Sequence, residues 1–429
     1  MRSPGLIIPA SCVKLVPYLR PKTLDLRGFP GRSLIWSFDY FIKQMFKILK
    51  KTSGGLRRGR LETAHGSLTS PFFMPDATRG FVKLVDNEAL ARTGTKALVV
   101  NTFHLYLRPG LATIKRAGGI HKFINWSGPL LSDSGGFQVF SLIHKNKEAG
   151  EINDRQVIFR SPFDGSRHEL SPEKSIQIQF ALGVDMMVCL DDCPPNDFSR
   201  PDLERAVSRT IAWAKRCRRE YERQLKKRGL SGRRRPLLFS VIQGGAYLDL
   251  RKRCARALVE IGFDGYGFGA MPVDKEGKFL VEILRRTADF IPEQALRFAL
   301  GIGTPEDIRR CARMGWDMFD CVIPTREGRH GKLFLKVENK SASKKPLAAG
   351  RVRRPVLKPA YQAININNSR YGRDFSVLNP LSRLPELKNN SRAYLHHLFR
   401  LQDQLGARLA SLNNLEFYQD WMTKIGRGK

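Results

Sequence analysis

The sequence lacks features that define several common classes of protein. No uninterrupted apolar stretch approaches the roughly 18 residues that a membrane span needs, so no membrane partner is expected. The seven cysteines lie at positions 12, 189, 193, 217, 254, 311 and 321. They form no Cys-x-x-Cys pair, and their odd number does not fit a complete set of disulfide pairs. This pattern is typical of a reducing compartment and predicts a cytoplasmic protein. Cys189 and Cys193 lack a second ligand pair nearby, and we interpret them as core thiols.

Acidic residues are scarce relative to basic ones. The chain has 74 Lys and Arg against 40 Asp and Glu, a formal net charge of +34. This excess indicates a polyanionic partner, and nucleic acid is the first candidate. Eleven basic residues lie in 215–235, where a solvated helix face is the alternative to phosphate contact. Eight more lie in 336–358, inside a predicted basic insertion at 336–360 next to the active site.

The first 44 residues differ in pattern from the rest of the chain. Residues 1–44 contain scattered prolines and no regular spacing of hydrophobic residues, whereas a pattern of alternating strands and turns begins at Met45. We therefore predict that 1–44 are an N-terminal extension outside the fold, that Met45 is the start, and that 45–429 form the folded domain. A transit peptide is the alternative, although Asp25, Asp39 and the lack of an Arg- and Ser-rich amphipathic helix argue against it.

Short apolar runs recur from about residue 60, and each ends at a polar residue or a glycine before a helical stretch. The seven runs end at or near Asn101, Asp133, Asp191, Gln243, Gly269, Gly301 and Asp320. Continuous apolar strands separated by helices predict a parallel sheet covered on both faces, and their number favours an α/β fold closed as a (β/α)8 barrel. Ser171 and Ser199, each followed by a proline within two residues, predict helix starts.

The carboxyl ends of barrel strands form one face, so the polar residues that end these runs are expected to converge. Asp133, Asp191, Gln243 and Asp320 should therefore be neighbours. Each alone also fits a helix cap or a turn. Three carboxylates gathered in a strongly basic chain, however, indicate a site that binds amino and imino donors and stabilises a positive transition state.

Four segments carry a family resemblance: "LSDSGGFQVFSL", "VIQGG", "GIGTPEDI" and "DMFDCVIPTREGRHGKLF". They resemble the signatures of the queuine/archaeosine tRNA-guanine transglycosylase family, over about residues 55 to 425. The resemblance implies a TIM barrel with insertions. It also implies that a guanine at the wobble position of tRNAs with GUN anticodons is exchanged for a 7-deazaguanine without ATP. tRNA and the 7-deazaguanine base are then the expected partners.

The resemblance also implies roles for individual residues. Asp320 matches the nucleophile that forms a covalent ribosyl intermediate, and Asp133 matches the group that donates and accepts the proton. The implied base pocket comprises Asn101, Ser134, Gly135, Gly136, Phe137, Asp191, Gln243, Gly269, Ala270, Met271 and Leu300, with the glycines allowing close approach of a flat base. The implied tRNA contacts are Gly301, Ile302, Gly303, Thr304, Pro305, Glu306, Asp307, Thr325, Arg326, Glu327, Gly328 and Arg329.

The sequence departs from the family at several positions. Ala270 replaces a glycine, and Met271 and Leu300 differ from commoner choices. In the C-terminal sub-domain, 374–425, the family's three Cys and one His ligands of a structural zinc are replaced by Ser382, Leu384, Leu387 and Asn413. We therefore expect no zinc and no other cofactor, with "LSRLPEL" packed as an apolar cluster. A homodimer remains one option for the assembly.

Two functions from different classes fit the resemblance. One is a catalytic transglycosylase; the other is a non-catalytic tRNA-binding subunit of a heterodimer, which is the less favoured because both aspartates are retained. The archaeal type usually brings additional C-terminal RNA-binding domains, and we expect none here. Cys193 and Val273 resemble the smaller pocket that accepts 7-aminomethyl-7-deazaguanine rather than queuine.

Overall fold

The computed structural model describes residues 45–195, 198–274, 276–337 and 361–428, without the side chains of residues 144, 145 and 147. The predicted extension at 1–44 and nearly all of the predicted basic insertion at 336–360 lie outside these ranges. Both remain predictions.

Eight short strands form the centre of the described chain, and we number them β1 to β8. They are β1 (Phe72–Pro75), β2 (Leu98–Asn101), β3 (Leu130–Asp133), β4 (Met186–Val188), β5 (Leu237–Ile242), β6 (Gly265–Phe268), β7 (Leu296–Ala299) and β8 (Met318–Cys321).

All the ladders between these strands are parallel, and neighbours in the sheet follow chain order from β2 to β8, with β1 beside β8. A parallel bridge between Asp76 and Val99 then joins β1 to β2, with a 2.7 Å hydrogen bond from the Ala77 N–H to the Val99 carbonyl. The sheet therefore closes, which confirms the predicted (β/α)8 barrel. The sequence analysis identified seven strands and missed β1, which has four residues.

The helices connect the strands on the outside of the barrel and form the C-terminal region. The α-helices are Asn87–Arg92, Thr102–Leu105, Leu111–Arg116, Ile120–Ile124, Gly136–Lys145, Pro172–Leu182, Arg200–Arg228, Leu248–Ile261, Val281–Asp289, Pro305–Arg313, Ile323–Arg329, Pro385–Lys388, Arg392–Arg400 and Gln404–Gly426. Ser171 and Ser199 cap two of them, as predicted, with their side chains accepting the N–H groups of Lys174 and Asp202. No helix within the described ranges combines the length and apolar character needed to cross a bilayer.

Three small antiparallel sheets are added to the barrel. One precedes it, with strands Phe46–Lys51, Arg57–Thr63 and Gly66–Thr69. The second is inserted between β3 and β4, with strands Gly150–Ile152, Val157–Arg160 and Arg167–Leu170. The third pairs Lys332–Lys336 with Tyr361–Asn365 after β8.

Successive side chains of each strand point to opposite faces of the sheet, so the apolar residues form two buried clusters. The smaller cluster fills the barrel interior and includes Leu131, Met186, Phe239, Phe298 and Met318. The larger cluster lies between the strands and the surrounding helices and extends into the C-terminal region. Because both faces of each strand are buried, the strands read as continuous apolar runs in the sequence. The packed interior holds the strand ends in fixed positions.

The last helix, Gln404–Gly426, supports the loops that follow β7 and β8. The Tyr418 hydroxyl donates to the Gly303 carbonyl at 2.6 Å, and the Trp421 indole N–H donates to the Pro305 carbonyl at 2.8 Å. Asn414 donates to the carbonyls of Pro324 and Lys332 at 3.0 and 2.8 Å. Each contact satisfies a buried loop carbonyl, so the C-terminal helix fixes the loops on this side of the site.

Candidate active site

The residues predicted at the strand ends lie on the carboxyl-terminal face of the barrel. Asp133 is the last residue of β3, Asp320 is the last but one of β8, and Asp191 and Gln243 follow β4 and β5. Gln243 is bonded to Asp191, and the charge of Asp133 acts on both Asp191 and Asp320. The predicted convergence of these four side chains is confirmed.

Asp133 is held by donors from three directions. Its Oδ1 accepts the Ser134 N–H at 2.8 Å, and its Oδ2 accepts from Asn101 Nδ2 at 3.1 Å and Gln138 Nε2 at 3.4 Å. Burial raises the pKa of Asp133, and these hydrogen bonds oppose the rise. Asn101, predicted in the base pocket, also accepts the His104 N–H at the start of the helix Thr102–Leu105. Its side-chain amide therefore links this helix to the carboxylate of Asp133. A contact of Asn101 with a base remains a prediction.

The two glycines after Asp133 have a packing role. Gly135 has a φ of +84°, and a Cβ at this position would lie 2.9 Å from the Phe103 nitrogen. A Cβ at Gly136 would lie 2.9 Å from a methyl carbon of Leu190. Both glycines therefore let the β3 turn pack against the neighbouring loops, a reason that the sequence analysis did not give. Phe137, half exposed, is left at the rim.

Asp320 is partly exposed and is anchored from the β7 loop. Its Oδ1 accepts the Gly301 N–H at 2.9 Å, and Gly301 has a φ of +69° that favours glycine. Burial raises the pKa of Asp320 to about 7, with smaller contributions from the charges of Asp76 and Asp133. The anchor leaves the carboxylate accessible while fixing its orientation.

Asp191 and Gln243 form a buried pair. Gln243 Nε2 donates to Asp191 Oδ2 at 2.6 Å, and the Oε1 of Gln243 is buried without a hydrogen-bond partner in the described part of the chain. Burial raises the pKa of Asp191 to about 7, and the charges of Asp133 and Asp192 add to the rise. An unpaired buried amide oxygen is unfavourable in the free protein, and a ligand with N–H groups would satisfy it.

The opposite wall of the pocket comes from β6 and β7. Gly269 packs directly on Gln243: an added Cβ would lie 2.4 Å from its Nε2. Ala270, where the family has glycine, adopts a φ of +73°, a conformation that costs an L-residue about 1 kcal/mol. Met271 is half exposed, and Leu300 fills the space beside Gly267. The pocket is therefore apolar on this side and polar at Asp191 and Gln243.

Asp76 was missed by the sequence analysis. It follows β1, and its carboxylate accepts the Thr78 N–H at 2.7 Å. The segment "PFFMPD" has the same pattern of an apolar run ending in a carboxylate that identified the other strands, so the signal was present. Asp76 lines a cavity of about 420 Å³ that also includes Arg79, Lys83 and Arg329. This cavity places basic side chains beside the carboxylates.

The predicted RNA loop at Gly301–Asp307 is internally bonded. Thr304 caps the helix Pro305–Arg313 by accepting the Asp307 N–H at 3.2 Å, and Glu306 and Asp307 pair with Arg309 and Arg310. Ile302 is buried, and an added Cβ at Gly303 would lie 2.0 Å from the Cys321 sulfur. The Asp307 N–H is taken by the cap and the Gly301 N–H by Asp320, so fewer amides of this loop are left for phosphate than was predicted. A tRNA contact here remains a prediction.

The helix Ile323–Arg329 begins directly after β8. Thr325 is buried and donates to the Val322 carbonyl at 3.2 Å, and Gly328 packs on the last helix, where a Cβ would lie 2.8 Å from Ser411 N. Arg326 and Arg329 project from this helix, and burial lowers the pKa of Arg329. Glu327 pairs with Lys332 at 3.2 Å. Two arginines are thus held on the turns after Asp320.

Five of the eleven basic residues in 215–235 form ion pairs within the protein. The pairs are Arg216 with Glu173, Arg218 with Glu222, Arg223 with Glu220, Arg233 with Glu62 and Arg235 with Asp264. This arrangement favours the alternative of a charged helix face over a phosphate-binding role.

The family's zinc positions carry side chains that do not fit zinc. Leu384 and Leu387 are buried, which confirms the predicted apolar cluster. The Ser382 hydroxyl donates to Glu416 at 2.5 Å, and Asn413 accepts from Asn379 at 2.8 Å. A zinc site needs thiolate, imidazole or carboxylate ligands in tetrahedral geometry, and none of these four positions supplies one. Hydrogen bonds and leucine packing occupy the place of the metal site.

One cluster at the other end of the barrel has donor atoms spaced closely enough for a metal. Donor atoms of His65, His121 and Asp185 lie within 4.8 Å of one another. The two imidazole rings are stacked with centroids 3.6 Å apart, so their nitrogen lone pairs run side by side and do not converge on one point. Asp185 also accepts the Leu130 N–H at 2.9 Å. We interpret the cluster as a hydrogen-bonded support below β3 and β4.

A closed parallel barrel that gathers carboxylates and an amide at the carboxyl ends of its strands defines the class of (β/α)8-barrel enzymes. The "Queuine tRNA-ribosyltransferase" family profile matches residues 52–427. A protein of that name from Halothermothrix orenii is 41% identical over 86% of this chain and 89% of its own length. One from Pelotomaculum thermopropionicum is 39% identical over 88% and 91%. The chain belongs to the queuine tRNA-ribosyltransferase family.

Proposed function

We propose that this protein is a tRNA-guanine transglycosylase, a pentosyltransferase that replaces the wobble guanine of tRNAs with GUN anticodons by a 7-deazaguanine. One observation carries the proposal: Asp133 and Asp320, both anchored by backbone amides, lie at the carboxyl-terminal face of the barrel together with the Asp191–Gln243 pair. This arrangement supports a site with one nucleophile, one proton carrier and one base-binding edge. The names of the relatives give no support to a non-catalytic subunit.

The proposed reaction is a double displacement at the ribose anomeric carbon. The ionised Asp320 carboxylate attacks this carbon, and the bond to guanine N9 breaks with its electron pair moving to the base. Protonated Asp133 donates a proton to the leaving guanine. The incoming base then loses its N9 proton to Asp133 and attacks the anomeric carbon, which releases Asp320. Two inversions retain the configuration, and no ATP is consumed.

The base pocket is suited to a guanine-like ring. Asp191 would accept the ring N–H and the exocyclic amino group, both of which carry hydrogens. Gln243 keeps one amide hydrogen beyond that given to Asp191, and its unpaired Oε1 can accept another. The Ala270 N–H lies on the same side as the Cys193 thiol and would meet the ring carbonyl. A purine without these groups leaves buried polar atoms unpaired and is disfavoured.

The RNA-binding side of the proposal rests on charge. Arg79, Lys83 and Arg329 line the cavity next to Asp76, and Arg326 lies one turn before Arg329. With a net charge of +34, the protein would gain affinity for tRNA from phosphate contacts that release counterions. We include cytoplasmic localisation and a homodimer in the proposal, the second testable by sedimentation.

The identity of the incoming base is proposed from Cys193 and Val273. Burial raises the pKa of the Cys193 thiol to about 12, so a neutral, compact group faces the pocket. A small pocket favours 7-aminomethyl-7-deazaguanine over the larger queuine. Base-exchange assays with each deazaguanine would distinguish them.

Trapping of the covalent intermediate tests the proposed mechanism. Wild-type protein incubated with tRNA and a guanine analogue that fills the base pocket but cannot attack the anomeric carbon should give an adduct that survives denaturant, and Asp320→Asn should give none. Asp289→Asn is a matched control, because its carboxylate is 56% exposed on a distant helix. Persistence of the adduct in Asp320→Asn would reject Asp320 as the nucleophile. Absence of any adduct or base exchange in wild type would reject the function.

A further inference from the structure

Arg251 is a fully buried arginine behind the base pocket. It lies in the helix Leu248–Ile261, which follows β5, and none of its surface is exposed. Its Nε donates to the Gly245 carbonyl at 2.6 Å, and its two terminal nitrogens donate to the carbonyls of Ile242 at 3.1 Å and Gly269 at 2.9 Å. One guanidinium therefore links the loop after β5 to the loop after β6.

The partners of Arg251 are unusual for a buried cation. In the described ranges of the chain, no carboxylate lies within ion-pair distance of it, and its charge rests on main-chain carbonyls and on the Phe268 ring, 4.0 Å away. Burial lowers the pKa of Arg251 to about 9, which leaves it charged at neutral pH. A cation buried without a counter-charge is costly, so its bonds must fix a geometry that the fold needs.

The geometry concerns the peptide between Gly269 and Ala270. In a trans peptide, the carbonyl of one residue and the N–H of the next point in opposite directions. Arg251 holds the Gly269 carbonyl on the outer side, so the Ala270 N–H points towards the pocket, where it interacts with the Cys193 thiol. The φ of +73° at Ala270 is unfavourable for an L-residue and requires such a restraint.

We infer that Arg251 is a positioning residue that aims the Ala270 N–H at the 6-oxo group of the base and thereby sets specificity for 6-oxopurines. The inference rests on the proposed function. Arg251 touches no substrate atom and acts through the peptide that it holds. Without it, the Gly269–Ala270 peptide is free to rotate and the N–H donor is lost from the pocket.

Guanine and 2-aminopurine, which lacks the 6-oxo group and the N1 hydrogen, provide the test, and for each base the variant is compared with wild type so that the contact of N1 with Asp191 affects both measurements equally. Affinities of both bases are measured for wild type, Arg251→Met and the control Arg253→Met. Arg253 lies two residues along the same helix and is exposed, with one bond to the Ser208 hydroxyl. We expect Arg251→Met to weaken guanine about 10-fold, the value of one lost hydrogen bond, and 2-aminopurine less than about 2-fold. The control should change neither.

Equal weakening of both bases, or no weakening of guanine, would overturn the role of Arg251. If Arg251→Met does not fold, Arg251→Lys keeps the charge with fewer donors and should show the same selective loss for guanine to a smaller extent. Unchanged selectivity in a folded Arg251→Lys overturns the inference. Failure of wild type to bind guanine at all contradicts the proposed function and is seen before any variant is compared.

Discussion

The C-terminal region should fold and act without zinc. Removal of metal is the perturbation, and its expected effect follows from the four positions that correspond to family ligands. A zinc site with three thiolates and an imidazole contributes on the order of 10 kcal/mol to folding. Ser382, Leu384, Leu387 and Asn413 cannot supply that term, so a chelator should leave the melting temperature and the exchange activity unchanged.

The stability of this region must instead come from packing and buried hydrogen bonds. Leu384 and Leu387 are 2% and 0% exposed, and truncation of such a leucine to alanine costs about 2 to 5 kcal/mol. Glu416 is fully buried and accepts the Ser382 hydroxyl at 2.5 Å and the Arg383 N–H at 2.7 Å. Loss of these bonds leaves a carboxylate buried with fewer partners.

The assay is denaturant unfolding of wild type, Leu387→Ala and Leu401→Ala, each with and without chelator, together with elemental analysis. Leu401 is 64% exposed and serves as the control, with an expected change below about 0.5 kcal/mol. Leu387→Ala should lose about 2 kcal/mol or more, independently of the chelator. One zinc per chain in active protein, or a chelator-dependent fall in stability, would refute the reasoning and require ligands from other positions.

Three further predictions follow from charge. Because burial raises the pKa of the proposed nucleophile Asp320 to about 7, base exchange should increase as pH rises through about 7, and a rise centred near pH 4 would contradict this. The hydrogen bond to Asp185 raises the pKa of His65. Protonated His65 therefore stabilises the folded protein below about pH 6.5, and this contribution is lost as pH rises through the raised pKa. His65→Ala should lower the free energy of unfolding at pH 6 and have little effect at pH 9. Arg79→Ala should reduce the slope of log affinity for tRNA against log salt concentration by about one, the value of one phosphate contact. Arg286→Ala, at an exposed position of the helix Val281–Asp289, should leave this slope unchanged.

The barrel was predictable because its signal is local and repeated. Runs such as "ALVVN" and "PLLSD" are apolar on both faces and end in a polar side chain. The strand β1 has the same pattern and is no shorter than most of the strands that were predicted, but Pro75 is a turn signal, so it was not distinguished from the preceding hairpin. Bounds of short strands depend on neighbours that a sequence pattern does not contain.

The candidate site was predictable in its carboxylates and not in its supports. Asp133 and Asp320 end apolar strands and also match family motifs. Arg251 lies near the start of the helix Leu248–Ile261, in "DLRKRCARAL", where its side chain looks like any basic residue of an amphipathic helix. Its three carbonyl partners are brought together only by the barrel, and they have no sequence signature. The same holds for Glu416, whose burial depends on Ser382 across the sub-domain.

In the proposed mechanism, Asp133 must be protonated while Asp320 is ionised, and binding of the base to Asp191 can set this order. In the free protein, burial raises the pKa values of Asp191 and Asp320 to about 7, and the charge of Asp133 disfavours ionisation of both. A guanine-like base that donates two N–H groups to Asp191 stabilises its ionised form. The resulting charge raises the pKa of Asp133, which favours the protonated state needed to release guanine. Asp320 keeps the Gly301 N–H on its carboxylate and remains the group best placed to ionise and attack.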